Sequence, residues 1–152
     1  MLNPFIVSNY RGQRYYRSNV LGLTTAALSG LIAVLAIPSI LKVSREIFTF
    51  RRYLETILHA RAWYTIDSKD ENSDWYRTTN TVRWKHGSVN RRCLRDGLGG
   101  ITHRDMALTQ FGFIGYVLTE PGYLGLTNTP KEREGFNHVW RVLGHMLGIS
   151  DR

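Results

Sequence analysis

Residues 51–64 read RRYLETILHARAWY, and after an acidic, turn-forming break residues 75–93 read WYRTTNTVRWKHGSVNRRC. In the first stretch Tyr53, Ile57, Ala60, Trp63 and Tyr64 recur at three- and four-residue spacings. That spacing predicts an amphipathic helix from about Arg51 to Tyr64. Thr56 falls inside the apolar stripe, and Arg52 lies one turn before it on the same face. The second stretch predicts a helix from about Trp75 to Cys93, with Trp75, Val82, His86 and Val89 facing inward. Between them DSKDENSD (67–74) is the one clearly acidic stretch, and Ser73 or Asp74 is placed to cap the helix that follows. Two helices joined in this way can close on one ligand.

Working outward toward the C-terminus, DGLGGI (96–101) is a glycine loop. No strand precedes it and the spacing of a P-loop or dinucleotide fingerprint is absent, so its role is to reverse the chain. Thr102 and Asp105 open the next helix as a capping box, and Gly112 and Gly115 leave its surface smooth enough for a helix or a flat ligand to approach. PGYLG (121–125) ends that helix. Thr129, Pro130 and Glu132 form a strong start for a last helix. Its apolar side carries Phe136, Val139, Trp140, Leu143, Met146 and Leu147, and Gly148 stops it. No alternating strand pattern occurs, and the expected fold class is all-α.

Toward the N-terminus, YRGQRYYRSN (10–19) is basic and aromatic, and from Val20 to Leu41 no charged residue occurs. Length alone makes 20–41 a transmembrane candidate. Thr24, Thr25 and Ser29 are polar, Pro38 interrupts the helix near its end, and both flanks are basic. A central helix of an all-α domain, apolar all round because it is surrounded, is the other reading. Met1 leads into a mixed stretch without the pattern of a secretory signal.

The 152 residues suffice for one domain with a real core, and the 43% hydrophobic and 12% aromatic content argues against disorder. Cys93 is the only cysteine, which excludes an internal disulfide framework and a thiolate metal cluster. The net charge of +8 points to an anionic partner such as lipid head groups, nucleic acid or a cofactor's carboxylates. The positive residues are spread along every segment and match no zinc-finger, RNA-recognition or basic-zipper pattern, so nucleic-acid binding is not expected.

Of five histidines, His103 falls in a first helical turn and reads as exposed, while His59 lies off the apolar stripe and reads as a surface or boundary group. His138 and His145 are seven apart, and the i, i+4 spacing of a zincin helix is absent. His86 is different because it falls among Val82 and Val89 at helical spacing. Its ordinary reading is a buried histidine satisfied by hydrogen bonds. Its functional reading is an axial ligand to heme iron through a neutral imidazole nitrogen, leaving the opposite face open to dioxygen. Arg52 or Arg83 could then pair with propionates or steady negative charge on bound oxygen, and Thr56 could supply one hydroxyl hydrogen bond. The ordinary reading of that pair is an exposed arginine and a threonine bonded back to its own helix.

The arrangement RYLET, with arginine four residues before threonine, followed about thirty residues later by VRWKH, resembles a heme-pocket signature. It is similar to that of the catalytic domain shared by rubber oxygenase (latex-clearing protein) and the ER-bound oxygenase of mycophenolic acid biosynthesis. DMALTQFGFIG, FNHVWRVLGHMLGI and the apolar stretch ending AIPSILKV also resemble this family, particularly its uncharacterised animal members. The likeness extends from about Gln13 onward.

The resemblance implies an all-α helical bundle with a globin-like core around heme b. It gives His86 the axial-ligand role, and Arg52, Thr56 and Arg83 places in the heme pocket. It also implies dioxygen-dependent cleavage of an apolar, isoprenoid- or lipid-like substrate, with membrane association at the endoplasmic reticulum. Where the rubber-cleaving branch has an arginine one turn after its histidine, this chain has Asn90, with Arg91 adjacent. The acidic and basic pocket residues of that branch are not identifiable, so the rubber reaction itself is not implied. The family pattern continues beyond ISDR (149–152), and the chain is expected to be a partial oxygenase domain. The alternative from another class is a non-catalytic, membrane-associated helical protein whose basic residues meet lipid phosphates.

Overall fold

The computed structural model describes residues 4–36 and 48–149. Six α-helices occur among them: α1 (Pro4–Ser18), α2 (Val20–Val34), α3 (Phe48–Thr65), α4 (Asp74–Arg95), α5 (His103–Thr119) and α6 (Pro130–Leu147), with a short 3-10 helix at Pro121–Leu124. No strand occurs among the described residues, and the all-α expectation holds. Pro38, the rest of the AIPSILKV stretch beyond Ala36, and the final SDR lie outside the described residues.

Local signals set the helix ends. Thr102 accepts from the Asp105 backbone N–H while the Asp105 carboxylate accepts from the Thr102 N–H, and Thr129 and Glu132 repeat this reciprocal arrangement at α6. Each box satisfies two of the orphan donors of a first turn. Gly148, at φ 92, ends α6 in the left-handed region, as a glycine C-cap does. Ser73 takes the N-cap position of α4 but makes no capping bond; its hydroxyl is buried without a partner. Asp74, in the first turn, pairs with Arg77 instead.

Packing is antiparallel and long-range. The first described helix lies mainly on the last, and α2 lies mainly on α5. Both crossings pass through glycine. A side chain on Gly12 would collide with the backbone of Gly135, and one on Gly30 would collide with the carbonyl of Gly112. The smooth surface expected at Gly112 is therefore used by a helix. Gly115 is instead covered by the Phe111 ring of its own helix.

The core is aromatic. Tyr16 stacks on Tyr64 with centroids 4.2 Å apart, and Phe113 stacks on Trp140 at 4.8 Å. Trp140 Nε1 donates to the Tyr64 hydroxyl at 2.6 Å. The C-terminal end of α3 is closed by side chains from two other helices: Gln13 Nε2 donates to the carbonyls of Trp63 and Ile66, and Trp75 Nε1 also donates to Trp63. Burial of the Tyr64 hydroxyl pushes its pKa well above the usual phenol range.

The helix α2 departs from the expectation of a surrounded central helix. Leu23, Ala26, Ala27, Gly30, Leu31 and Val34 are buried, yet Leu21, Leu28 and Ile32 are exposed. It ends at Val34, and it meets α1 at 95° across Asn19. Among the described residues no single helix is long and apolar enough to cross a membrane, although α1 and α2 as a bent pair match by length and composition.

Candidate functional site

Alongside the aromatic core lies a cavity of about 530 Å³, walled by α3, α4, α5, α6, the end of α2 and the glycine loop. That volume falls within the roughly 300–1,000 Å³ of small-molecule and cofactor sites. Two helices supply matching stripes. On α3 the lining positions include Arg52, Thr56, His59 and Trp63; on α4 they include Val82, His86, Val89 and Cys93. Both follow i, i+4, i+7, i+11, the spacing of one continuous helix face. Leu31, Val34, Phe113 and Leu143 make the remaining wall largely apolar.

Arg52, Thr56 and His86, singled out from the sequence, thus share one cavity. Arg83 does not join them: it is exposed on α4 and absent from the lining, because it flanks His86 on the side away from Val82 and Val89. The Thr56 hydroxyl donates to the carbonyl of Arg52 at 2.8 Å, so its proton is held by its own helix and it faces a ligand as an acceptor. Arg52 is exposed at the cavity edge, and its guanidinium lowers the pKa of His86 in addition to the larger effect of burial.

His86 has the least ordinary environment. Its Nδ1 is buried with no hydrogen-bond partner. Burial first, and then the positive charge of Arg52, hold the imidazole below its ordinary pKa of 6.5, so it is neutral near neutral pH. The simple reading of a core histidine satisfied by hydrogen bonds does not describe this side chain. A neutral imidazole with its lone pair uncommitted is the form that ligates a metal.

His59, half-buried at a boundary position, also lines the cavity, a role its sequence reading did not include. Burial and, to a lesser degree, Lys85 lower its pKa, while Glu55 opposes them. The missed signal was Arg52–Thr56–His59–Trp63 itself, a helical stripe that mixes polar and apolar residues. At the mouth, Lys85 Nζ and a Glu55 carboxylate oxygen lie 3.0 Å apart and tie α4 to α3. Lys85 and Arg51 hold the Glu55 carboxyl below its usual range. Asn90 accepts from the Ile101 N–H at 2.7 Å and so anchors the glycine loop against α4. Gly97 and Gly99, at φ 69 and 82, give that loop its reversal.

The other histidines stay outside. His103 and His145 are exposed, and His138 is half-buried on α6 away from the lining. Among the described residues no group of three or more metal-ligating side chains converges, so any iron held here would need most of its coordination from a macrocycle. Compared with known protein families, curated proteins and solved structures, the chain matches none.

Proposed function

We propose that this cavity holds heme b, with His86 as the residue that would bind its iron, and that the chain is a heme-dependent oxygenase domain of the ER-bound and rubber oxygenase type. The observation that carries the reading is His86: a neutral imidazole, its Nδ1 sequestered and without a partner, in the wall of a 530 Å³ cavity that it shares with Arg52 and Thr56. The residues fit the group. One histidine is enough when a porphyrin supplies the equatorial nitrogens, and the surrounding wall is apolar. The reading includes a globin-like arrangement of helices around the cofactor.

Bound heme would supply the iron that activates dioxygen. The chain's own side chains divide the remaining work. His86 keeps its lone pair available because burial and Arg52 disfavour the imidazolium. The nitrogen that bonds iron would be the deprotonated one, and Nδ1 makes no hydrogen bond that fixes the ring proton on it. Arg52, at the edge, is placed to pair with a carboxylate of the cofactor, as Arg83 is not. His59 supplies an N–H on the α3 face where Thr56 has none to offer, and can hydrogen-bond to an oxygen brought into the cavity. The largely apolar lining favours an isoprenoid- or lipid-like substrate.

Purified protein reconstituted with hemin is expected to show a Soret band distinct from that of free hemin, and His86→Ala is expected to abolish it. Identical spectra for both proteins and for free hemin would remove His86 as ligand and the oxygenase reading with it.

A further inference from the structure

Three polar atoms of residues lining the cavity are buried with no hydrogen-bond partner among the described residues: His86 Nδ1, Trp63 Nε1 and Gln110 Oε1. Such atoms are rare inside proteins, and each calls for a counterpart. His86 belongs to the end of the cavity already described. Lys85 pairs with Glu55, so its neighbour His86 stands beside the Arg52–Thr56 part of α3. Trp63 lies two turns beyond Thr56, roughly 10 Å further along that helix. It marks a second polar place at the far end.

Trp140 brings Gln110 to the same end. The Trp63 ring stands edge-on to Trp140 with centroids 6.2 Å apart, and Gln110 Nε2 donates to the Trp140 carbonyl at 2.9 Å. That bond fixes the Gln110 amide, because a carbonyl oxygen only accepts and the amide nitrogen must face it. The amide oxygen is left over on the side of Gly144, where an added side chain would meet it at 2.5 Å. The other polar groups close by are committed. Trp140 Nε1 donates to the Tyr64 hydroxyl, and the Thr109 hydroxyl donates to the Asp105 carbonyl. The far end thus keeps one N–H to give, from a side chain only 4% exposed, and one oxygen to accept. Phe113, stacked on Trp140, and Leu143 make the wall around them apolar.

A buried donor or acceptor left unpaired costs free energy that a matching ligand group recovers. This pair selects the group. A hydrocarbon satisfies neither atom, and an ether or ketone satisfies only the indole. A carboxylate or an ammonium brings a charge, which is costly against an apolar wall. A neutral hydroxyl accepts from Trp63 and donates to Gln110. We infer that the Trp63–Gln110 end of the cavity binds the hydroxyl group of an apolar alcohol, whose hydrocarbon part lies against the rest of the lining. The alcohol is the substrate class of the site proposed above, and its place rests on that reading in leaving the Arg52–His86 end to the cofactor. The two hydroxyl contacts themselves call on no iron.

The test is calorimetric titration of the whole chain, without hemin, with n-decanol and with decyl methyl ether, which can accept a hydrogen bond but not donate one. The native chain is expected to bind the alcohol about tenfold more tightly than the ether. Gln110→Leu is expected to lower affinity for the alcohol about tenfold while leaving that for the ether within about twofold of native. Trp63→Phe removes the N–H that both ligands use, and is expected to weaken both by roughly three- to tenfold. Melting curves measured alongside report whether each variant folds, and the two ligands on the native chain decide the outcome even where a variant does not. Failure to bind the alcohol, or equal affinities for alcohol and ether in the native chain, overturns the inference. So does an equal loss of both ligands in Gln110→Leu, which would make the effect one of shape rather than of the hydroxyl. The Soret band is read separately. A chain that takes hemin but does not distinguish alcohol from ether keeps the cofactor reading and loses this one; the opposite pattern supports the alcohol site and removes the heme.

Discussion

The two ends of α3 lead different lives. From Ala60 onward its inward face is buried in the aromatic core, where Tyr64 stacks on Tyr16 and accepts from Trp140, and the Trp63 carbonyl receives two side-chain donors. From Arg52 to His59 the same helix presents a threonine, a histidine and an arginine to a cavity. One half has its rings in contact and its Tyr64 hydroxyl and Trp63 carbonyl paired; the other keeps ionisable groups beside a cavity. The difference identifies which half holds the structure and which is free to bind, because close packing supplies stability while an apolar hollow with a few polar atoms supplies recognition.

The largest expected effect breaks the comparison at the closed end. Phe136 is 1% exposed between Tyr15 and Tyr64, and Phe136→Ala is expected to destabilise by about 3–5 kcal/mol in urea unfolding. Met106, half-buried in the cavity wall, already lacks neighbours on one side. Met106→Ala is expected to cost about 1 kcal/mol or less. Equal costs would mean that the two halves do not differ as described.

Next in size is the wall between them. Gly30→Ala places a methyl group against the Gly112 carbonyl, so α2 must move off α5. Expected destabilisation is about 1–3 kcal/mol even though alanine is the better helix former. Because Leu31, Val34 and Phe113 line the cavity, the same variant sharpens the comparison: it should alter uptake of an apolar fluorescent probe while the near-ultraviolet circular dichroism of the aromatic core is retained.

The smallest effect is in pH. His86 titrates below 6.5 when folded, so as pH falls from that value the unfolded chain binds a proton that the native chain does not. Stability is fully present above pH 6.5 and declines as pH drops toward the folded pKa. His59, shifted the same way, adds to the decline. Replacing His86 by leucine is expected to flatten the Tm profile below pH 6.5 by on the order of a degree or two. An unchanged profile would mean that His86 does not contribute to the decline.

Much of the fold was legible because helix periodicity and end chemistry are local. Tyr53, Ile57 and Trp63 on α3, both capping boxes and the Gly148 stop needed only neighbours a few residues away. The environment of α2 was not legible. An apolar composition says that water is disfavoured, but not whether a protein face or solvent lies on each side, and Leu21 and Ile32 lie in solvent. At the site, apolar spacing pointed to His86 but passed over His59, whose stripe begins with arginine and threonine. Asn90 had no legible role, because its bond to Ile101 depends on where the glycine loop returns. Arg83 was grouped with His86 by the resemblance of VRWKH to a heme-pocket signature, whereas on the helix it flanks His86 on the side away from Val82 and Val89 and falls outside the lining.

The pairing of α1 with α6 has a consequence for how the molecule comes into being. Tyr15 and Tyr16 on α1 find Phe136 and its neighbours only when α6 is present, and Gly12 has its counterpart in Gly135. During synthesis the aromatic face of α1 therefore waits, its main partner unmade, until α6 has followed it from the ribosome. Closure is an event of high contact order, joining distant segments late, and the loop entropy it must overcome is not repaid by local contacts along the way. A nascent chain of this design carries an unsatisfied tyrosine-rich helix until α6 brings that exposure to an end.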